Sequence, residues 1–140
     1  MPPPPPRVLN AGAKITRFIH TLRDVTAGHL KPAAFEPGSD GTTSIAEISG
    51  LAEPVVWQMA RLTLGTAPPR DKVVGRADLL AGDAQNHGLR AIRDDLGFTG
   101  HGCLEGWGRD PMERRVHWKR IASELCDAAQ WVPADPPITA

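Results

Sequence analysis

The chain has 140 residues, with sixteen basic and sixteen acidic side chains and no formal net charge. That is the length of one ordinary domain, and 41% apolar with 23% charged residues is the composition of a chain that folds. Neutrality excludes coating of nucleic acid or an anionic membrane by bulk electrostatics, and no apolar run approaches the roughly 18 residues of a membrane span.

Met1 is followed by five prolines, which have no N–H and a fixed φ. Residues 1–10 are therefore expected as a disordered proline-rich arm in extended polyproline form, suited to an aromatic groove of a partner. Residues 14–20 alternate β-branched or aromatic residues with polar ones and predict a strand. Residues 21–30 predict a helical turn stopped by Gly28 and Pro32. Lys31 to Pro37 is bracketed by prolines and reads as an extended or edge segment. Gly38-Ser-Asp-Gly41 is a turn, and Thr42 to Ile48 is a strand.

Leu51 to Leu64 predicts a helix, with Pro54 in its first turn and Gly65 after its end. Its expected buried face is Val55, Val56, Met59, Leu62 and Thr63. A loop over 67–71 precedes a strand over Lys72 to Leu80. Ala81 to Gly88 predicts a helical turn, Leu89 to Leu96 a short strand, and Gly97 to Gly100 a turn. His101 to Trp107 is expected as the last strand. Asp110 and Pro111 carry the cap and first-turn signals of a helix to about Gln130. Met112, Val116, Ile121, Ala122, Leu125, Cys126 and Ala129 mark its apolar face. Strands, helix, strands, helix in that order predict an α+β domain over 11–132: a small, mostly antiparallel sheet with two helices packed on one face. Residues 133–140 are expected as a flexible tail.

Cys103 and Cys126 form no metal-type spacing and, with no secretory leader in the sequence, read as reduced thiols of a cytoplasmic protein. Phosphate-loop, dinucleotide, zinc-protease, EF-hand and serine-elbow motifs are absent, so no cofactor or metal is called for. Basic residues gather in 1–35 and again in 109–120. If these segments met, they would make one positive patch; otherwise they are two solvated faces.

One polar set lies in β-rich, apolar surroundings: Arg17 and His20 on the first strand, Lys31 before the proline bracket, Ser44 after the turn, and His101 opening a late strand. Arginine and lysine suit an anion, and histidine transfers protons, which makes His20 and His101 the catalytic candidates and Arg17, Lys31 and Ser44 the ligand-binding ones. The alternative is a solvated sheet face. Trp107 sits between glycines and either stacks on a ligand or closes the core edge.

Arg17-Phe18-Ile19, Lys31-Pro-Ala-Ala-Phe35, Thr43-Ser44-Ile45, Trp57, and His101-x-x-Leu104-x-Gly106-Trp107 resemble a set of small, uncharacterised bacterial proteins. Those share R-[FY]-[IL], K-P-x-A-F, a serine strand, a helical tryptophan and a late R-H-x-x-I-x-G-W; here Gly100 stands before the histidine. The resemblance spans about residues 15–130 and implies no activity. A looser likeness to ADP-ribosyltransferase-type toxins rests on the early arginine, the serine strand and small size; no glutamate, Glu105 included, stands where it completes their pattern. Three functions follow as alternatives. The first is a binding or accessory module for an anionic ligand, a nucleotide or nucleic-acid phosphate, or for a protein partner. The second is a small enzyme on a nucleotide, RNA or NAD phosphate using His20 or His101. The third is an interaction protein of a bacterial conflict system, with an exposed Trp57 or Trp107 at its centre.

Overall fold

Seven of the nine residues of Lys72–Leu80 are buried, on both alternating sets of side chains, the mark of a strand covered on two faces. In the computed structural model, which describes residues 5–108, 112 and 114–140, this strand is second from one edge of a seven-stranded sheet. The strands are β1 (Arg7–Val8), β2 (Lys14–Ile19), β3 (Val25–Thr26), β4 (His29–Leu30), β5 (Thr43–Glu47), β6 (Lys72–Leu80), β7 (Arg90–Arg93), β8 (His101–Glu105) and β9 (Gln130–Thr139). The large sheet runs β1-β7-β8-β5-β2-β6-β9 with every pairing antiparallel, and β3–β4 is a separate hairpin. The helices are α1 (Glu53–Arg61), α2 (Ala81–Gln85) and α3 (Lys119–Ala128), the last continuing a π-helical turn, Arg114–Trp118. The protein is an α+β domain built on an antiparallel sheet.

The helices divide between the two faces of that sheet. On one face, Ile15, Ile19, Ile45, Val74 and Leu104 pack with α2, with Ile121, Ala122 and Leu125 of α3, and with Trp107 and Trp118. On the other, Phe18, Ala46 and Val73 pack with Val56, Met59 and Ala60 of α1. A sheet with central strands apolar on both faces needs a cover on each, so α2 and α3 share one face and α1 takes the second. The buried stripe of α1 is correspondingly narrower than the periodicity predicts: Ala60 points inward, while Val55 and Leu62 are exposed. In the last helical segment Met112 and Val116 are exposed, and the inward face begins at Trp118. The predicted cap at Asp110 and Pro111 lies outside the described residues.

Three expectations change at the edges. Arg7–Val8 pairs with Ile92 and Arg93, and Leu9 is buried, so the expected arm enters the sheet before residue 10. The expected tail is the second half of β9, which pairs along β6 as far as Thr139↔Lys72. Pro133, Pro136 and Pro137 are tolerated there because β9 is an edge strand with only one partner. Lys31–Pro37 is not extended: Pro32–Ala34 is a 3-10 turn with proline in its first turn, where no N–H is needed. At Gly75 a Cβ would lie 2.2 Å from the Trp131 ring, so only glycine lets β9 close on β6 at its register shift.

Between β6 and α1 lies a buried ion cluster. Arg76 donates through Nε to Asp78 at 3.0 Å and through Nη2 to Glu53 at 2.7 Å, and its guanidinium lies 4.6 Å from the Trp57 ring centroid. Asp78 also accepts from the Thr16 hydroxyl at 2.7 Å. Removing one member of a buried pair strands the other without solvent. Arg76→Ala should therefore cost about 3–5 kcal/mol in urea unfolding. Glu53→Ala, at a mostly exposed partner, should cost less than about 1 kcal/mol. Equal effects would contradict the assignment of Arg76–Asp78 as the buried partner pair.

Candidate functional site

The β2–β5 ladder is only two residues long, Ile15↔Glu47 and Thr16↔Ala46. Beyond it β2 stays with β6 as far as Ile19↔Gly75, while β5 stays with β8 back to Thr43↔Leu104. The two strands therefore part and leave a fork in the middle of the sheet. Arg17 stands at its apex. Its Nη1 donates to the Ser44 carbonyl at 2.8 Å, and its Nε donates to the Ala34 carbonyl at 3.0 Å. The side chain thus satisfies a β5 carbonyl that has no partner on β2, and a carbonyl of the 3-10 turn beside it. Thr43 Oγ1 donates to the Phe35 carbonyl at 2.7 Å and ties the 3-10 turn to the same place.

The fork opens into a small cavity of about 40 Å³. Arg17, Phe18 and His20 line it from the end of β2, Ser44 and Ile45 from the start of β5, Thr63 and Arg70 from the α1–β6 connection, and Phe98 and His101 from the β7–β8 connection. It has room for about three waters or one tetrahedral oxyanion. No carboxylate is among these lining residues. Of the five polar residues singled out in the sequence, four meet here. Lys31 does not: it is exposed, and Asp24, whose charge interacts with both Arg17 and Lys31, lies between them electrostatically. Trp107 does not either. It is 2% exposed and packs edge-on against Trp118, whose indole N–H donates to the Trp107 carbonyl at 2.6 Å. A ring buried that far closes the core and cannot stack on a ligand.

Both histidines have one nitrogen committed. His20 Nδ1 lies 2.9 Å from the Lys72 carbonyl, which only accepts, so Nδ1 carries the proton and Nε2 keeps its lone pair. His101 Nδ1 lies 2.6 Å from Asp94 Oδ1, which also accepts from the Leu96 N–H at 2.9 Å. The His101 ring packs edge-on against Phe98, centroids 5.4 Å apart. Gly100, at φ +101°, makes the turn into β8 and donates its N–H to Asp95 at 2.7 Å. The loop that aims His101 is thus held by two aspartates, with Asp95 pulled below the usual carboxylate range by that N–H and by Arg93.

Burial and the nearby Arg70 push the Arg17 pKa down to about 10, which leaves it charged at neutral pH. Burial holds the Cys103 thiol up at about 11, with Asp94, Glu105 and Asp40 adding to the effect, so it is protonated and unreactive under neutral conditions. Cys126 is pushed to about 12 by burial and donates to the Lys31 carbonyl at 3.2 Å. Among the described residues no three His, Cys, Asp or Glu side chains converge as a metal-ligand set, and no helix is long and apolar enough to cross a membrane. A larger groove of about 480 Å³ between α1 and β9 holds Trp57 with Pro54, Pro133 and Ile138, apart from the fork. Sequence reasoning missed Arg70, Thr63, Asp94 and Phe98, which reach the site from loops without a motif. None of the known protein-family models, curated proteins or solved structures compared with the chain matches it.

His20 gives a pH signature. Burial lowers its pKa first, with Arg70 and Arg17 in the same direction, against the Lys72 carbonyl. Below about pH 6.5 the unfolded chain takes up a proton that the folded chain resists, so stability falls as pH drops through that value. The urea midpoint should decrease between pH 7.5 and 5.5, and His20→Gln should flatten that slope. An identical slope in the variant would contradict the desolvated placement of His20.

Proposed function

We propose that this protein is a binding module whose β2–β5 fork takes a small oxyanion, the phosphate or carboxylate end of a larger ligand. The observation that supports this most directly is the state of Arg17. Two of its nitrogens are fixed on backbone carbonyls, and Nη2 makes no hydrogen bond among the described residues. A guanidinium immobilised in this way loses little further entropy when it receives an anion. Arg70 adds a second cation, His20 and His101 add ring nitrogens, and Ser44 and Thr63 add hydroxyls on the same wall. The absence of a lining carboxylate favours anions over cations. The cavity volume matches one anionic group, with the rest of the ligand left outside. The resemblance noted in the sequence is consistent with this reading, because its motifs supply Arg17, the Ala34 carbonyl, Ser44 and His101.

Thermal unfolding in inorganic phosphate and a nucleoside monophosphate, at constant ionic strength, tests the reading. A ligand at 100 times its dissociation constant stabilises by about 2.7 kcal/mol, which moves the midpoint of a domain this size by several degrees. Arg70 is exposed, where substitutions cost little stability, and loss of one charged contact should make Arg70→Ala weaken the response about tenfold. A midpoint indifferent to both ligands, or a full response in Arg70→Ala, would contradict the proposal.

A further inference from the structure

Two side chains of the same cavity, Ser44 and His101, also belong to a second arrangement. Ser44 pairs with Cys103 and Ala46 pairs with His101 across β5 and β8. Paired residues of an antiparallel ladder project to the same face, so Ser44, Cys103 and His101 share one face. Ser44 and His101 are then diagonal neighbours, with backbones about 7–8 Å apart, a span that an imidazole ring can cross. Both line the cavity. The Ser44 hydroxyl makes no hydrogen bond among the described residues. The far nitrogen of His101 is held on Asp94 at 2.6 Å, which leaves Nε2 as its free basic atom. Serine, histidine and aspartate thus stand in the order nucleophile, base and orienting carboxylate. Cys103, the other nucleophile on this face, is kept protonated by burial.

We propose that Ser44, His101 and Asp94 form a hydrolytic site for carboxylic esters that carry a second, anionic group. The proposal rests on the anion reading, since Arg17 and Arg70 would hold that group. In the first step the Ser44 Oγ–C bond forms at the ester carbon, and the hydroxyl proton passes to His101 Nε2. Collapse of the tetrahedral species breaks the C–O bond to the alcohol, which leaves with the proton from His101. Water then attacks the acyl-serine, gives its proton to His101, and Ser44 leaves with that proton as the acid is released. Asp94 touches no reacting atom. It is a positioning residue that keeps the His101 proton on Nδ1.

The full chain is assayed with the 4-nitrophenyl monoester of succinic acid, with neutral 4-nitrophenyl acetate as control, and is labelled with a fluorophosphonate. The proposal predicts faster hydrolysis of the anionic ester, one label per chain, and its location on Ser44 by peptide mass spectrometry. Ser44→Ala and His101→Gln should each lower kcat/KM at least about 100-fold, and Asp94→Asn should lower kcat at unchanged KM. Asp94→Asn, which alters no side chain lining the cavity, should keep the phosphate response of the melting midpoint, which separates loss of chemistry from loss of the anion site. The proposal is overturned if a phosphate-responsive wild type neither hydrolyses the ester nor labels, or if Ser44→Ala hydrolyses it at the wild-type rate. A wild type without the phosphate response removes the reading on which the proposal rests, and the proposal with it.

Discussion

A guanidinium does the work of a strand ladder at the centre of this sheet. Where β2 and β5 part, Arg17 reaches across and donates to the Ser44 and Ala34 carbonyls. Without those two bonds, part of the fork's backbone would face the interior with unmet acceptors, each costing about 1–3 kcal/mol. The fork in turn determines everything the site contains. It spaces His20 away from Ser44, lets the α1–β6 and β7–β8 connections fold over the gap, and keeps a cation beneath a cavity walled by Phe18 and Phe98. The charge that closes the fold is the charge a ligand would meet.

The rest of the architecture keeps the fork open. Each side of it is fastened elsewhere. β2 runs six pairs along β6, and Thr16 shares Asp78 with the buried Arg76. β5 is paired with β8, and Thr43 is tied to the 3-10 turn at Phe35. Helices on both faces prevent the sheet from sliding to complete the ladder: α1 holds Phe18 and Ala46 on one side, and α3 with Trp107 and Trp118 holds Ile19 and Ile45 on the other. A polar gap flanked by two apolar cores is expensive to close, because re-pairing would displace packed side chains in both.

Much of this is legible in the residues. The strand over Lys72–Leu80 is read to the residue because a short run with Val73, Val74, Ala77 and Leu79 apolar follows the proline-rich loop over 67–71. Arg17, His20, Ser44 and His101 stand out because charged and polar groups in apolar strands need partners. The edges are less legible. Three prolines in β9 argue against a strand until its edge position is known, and a two-residue β1 is too short to carry a pattern. Val55 and Leu62 have the right spacing for the face of α1, yet that helix rests on a narrow strip through Val56, Met59 and Ala60. Arg70 and Asp94 belong to loops, where position is set by the contacts of distant strands. Trp107 between glycines reads equally as lid or core, and only its burial decides.

The account's central claim is that Arg17 presents a fixed, charged donor to an anion at the β2–β5 fork. A crystal of the protein soaked in selenate tests it most directly, since selenium scatters anomalously and its position needs no assumption about the ligand. The account predicts one ordered selenate within hydrogen-bond distance of Arg17 Nη2, close to Arg70. A fork left empty at saturating selenate, or one in which Nη2 is already bonded to the protein's own atoms, would contradict it.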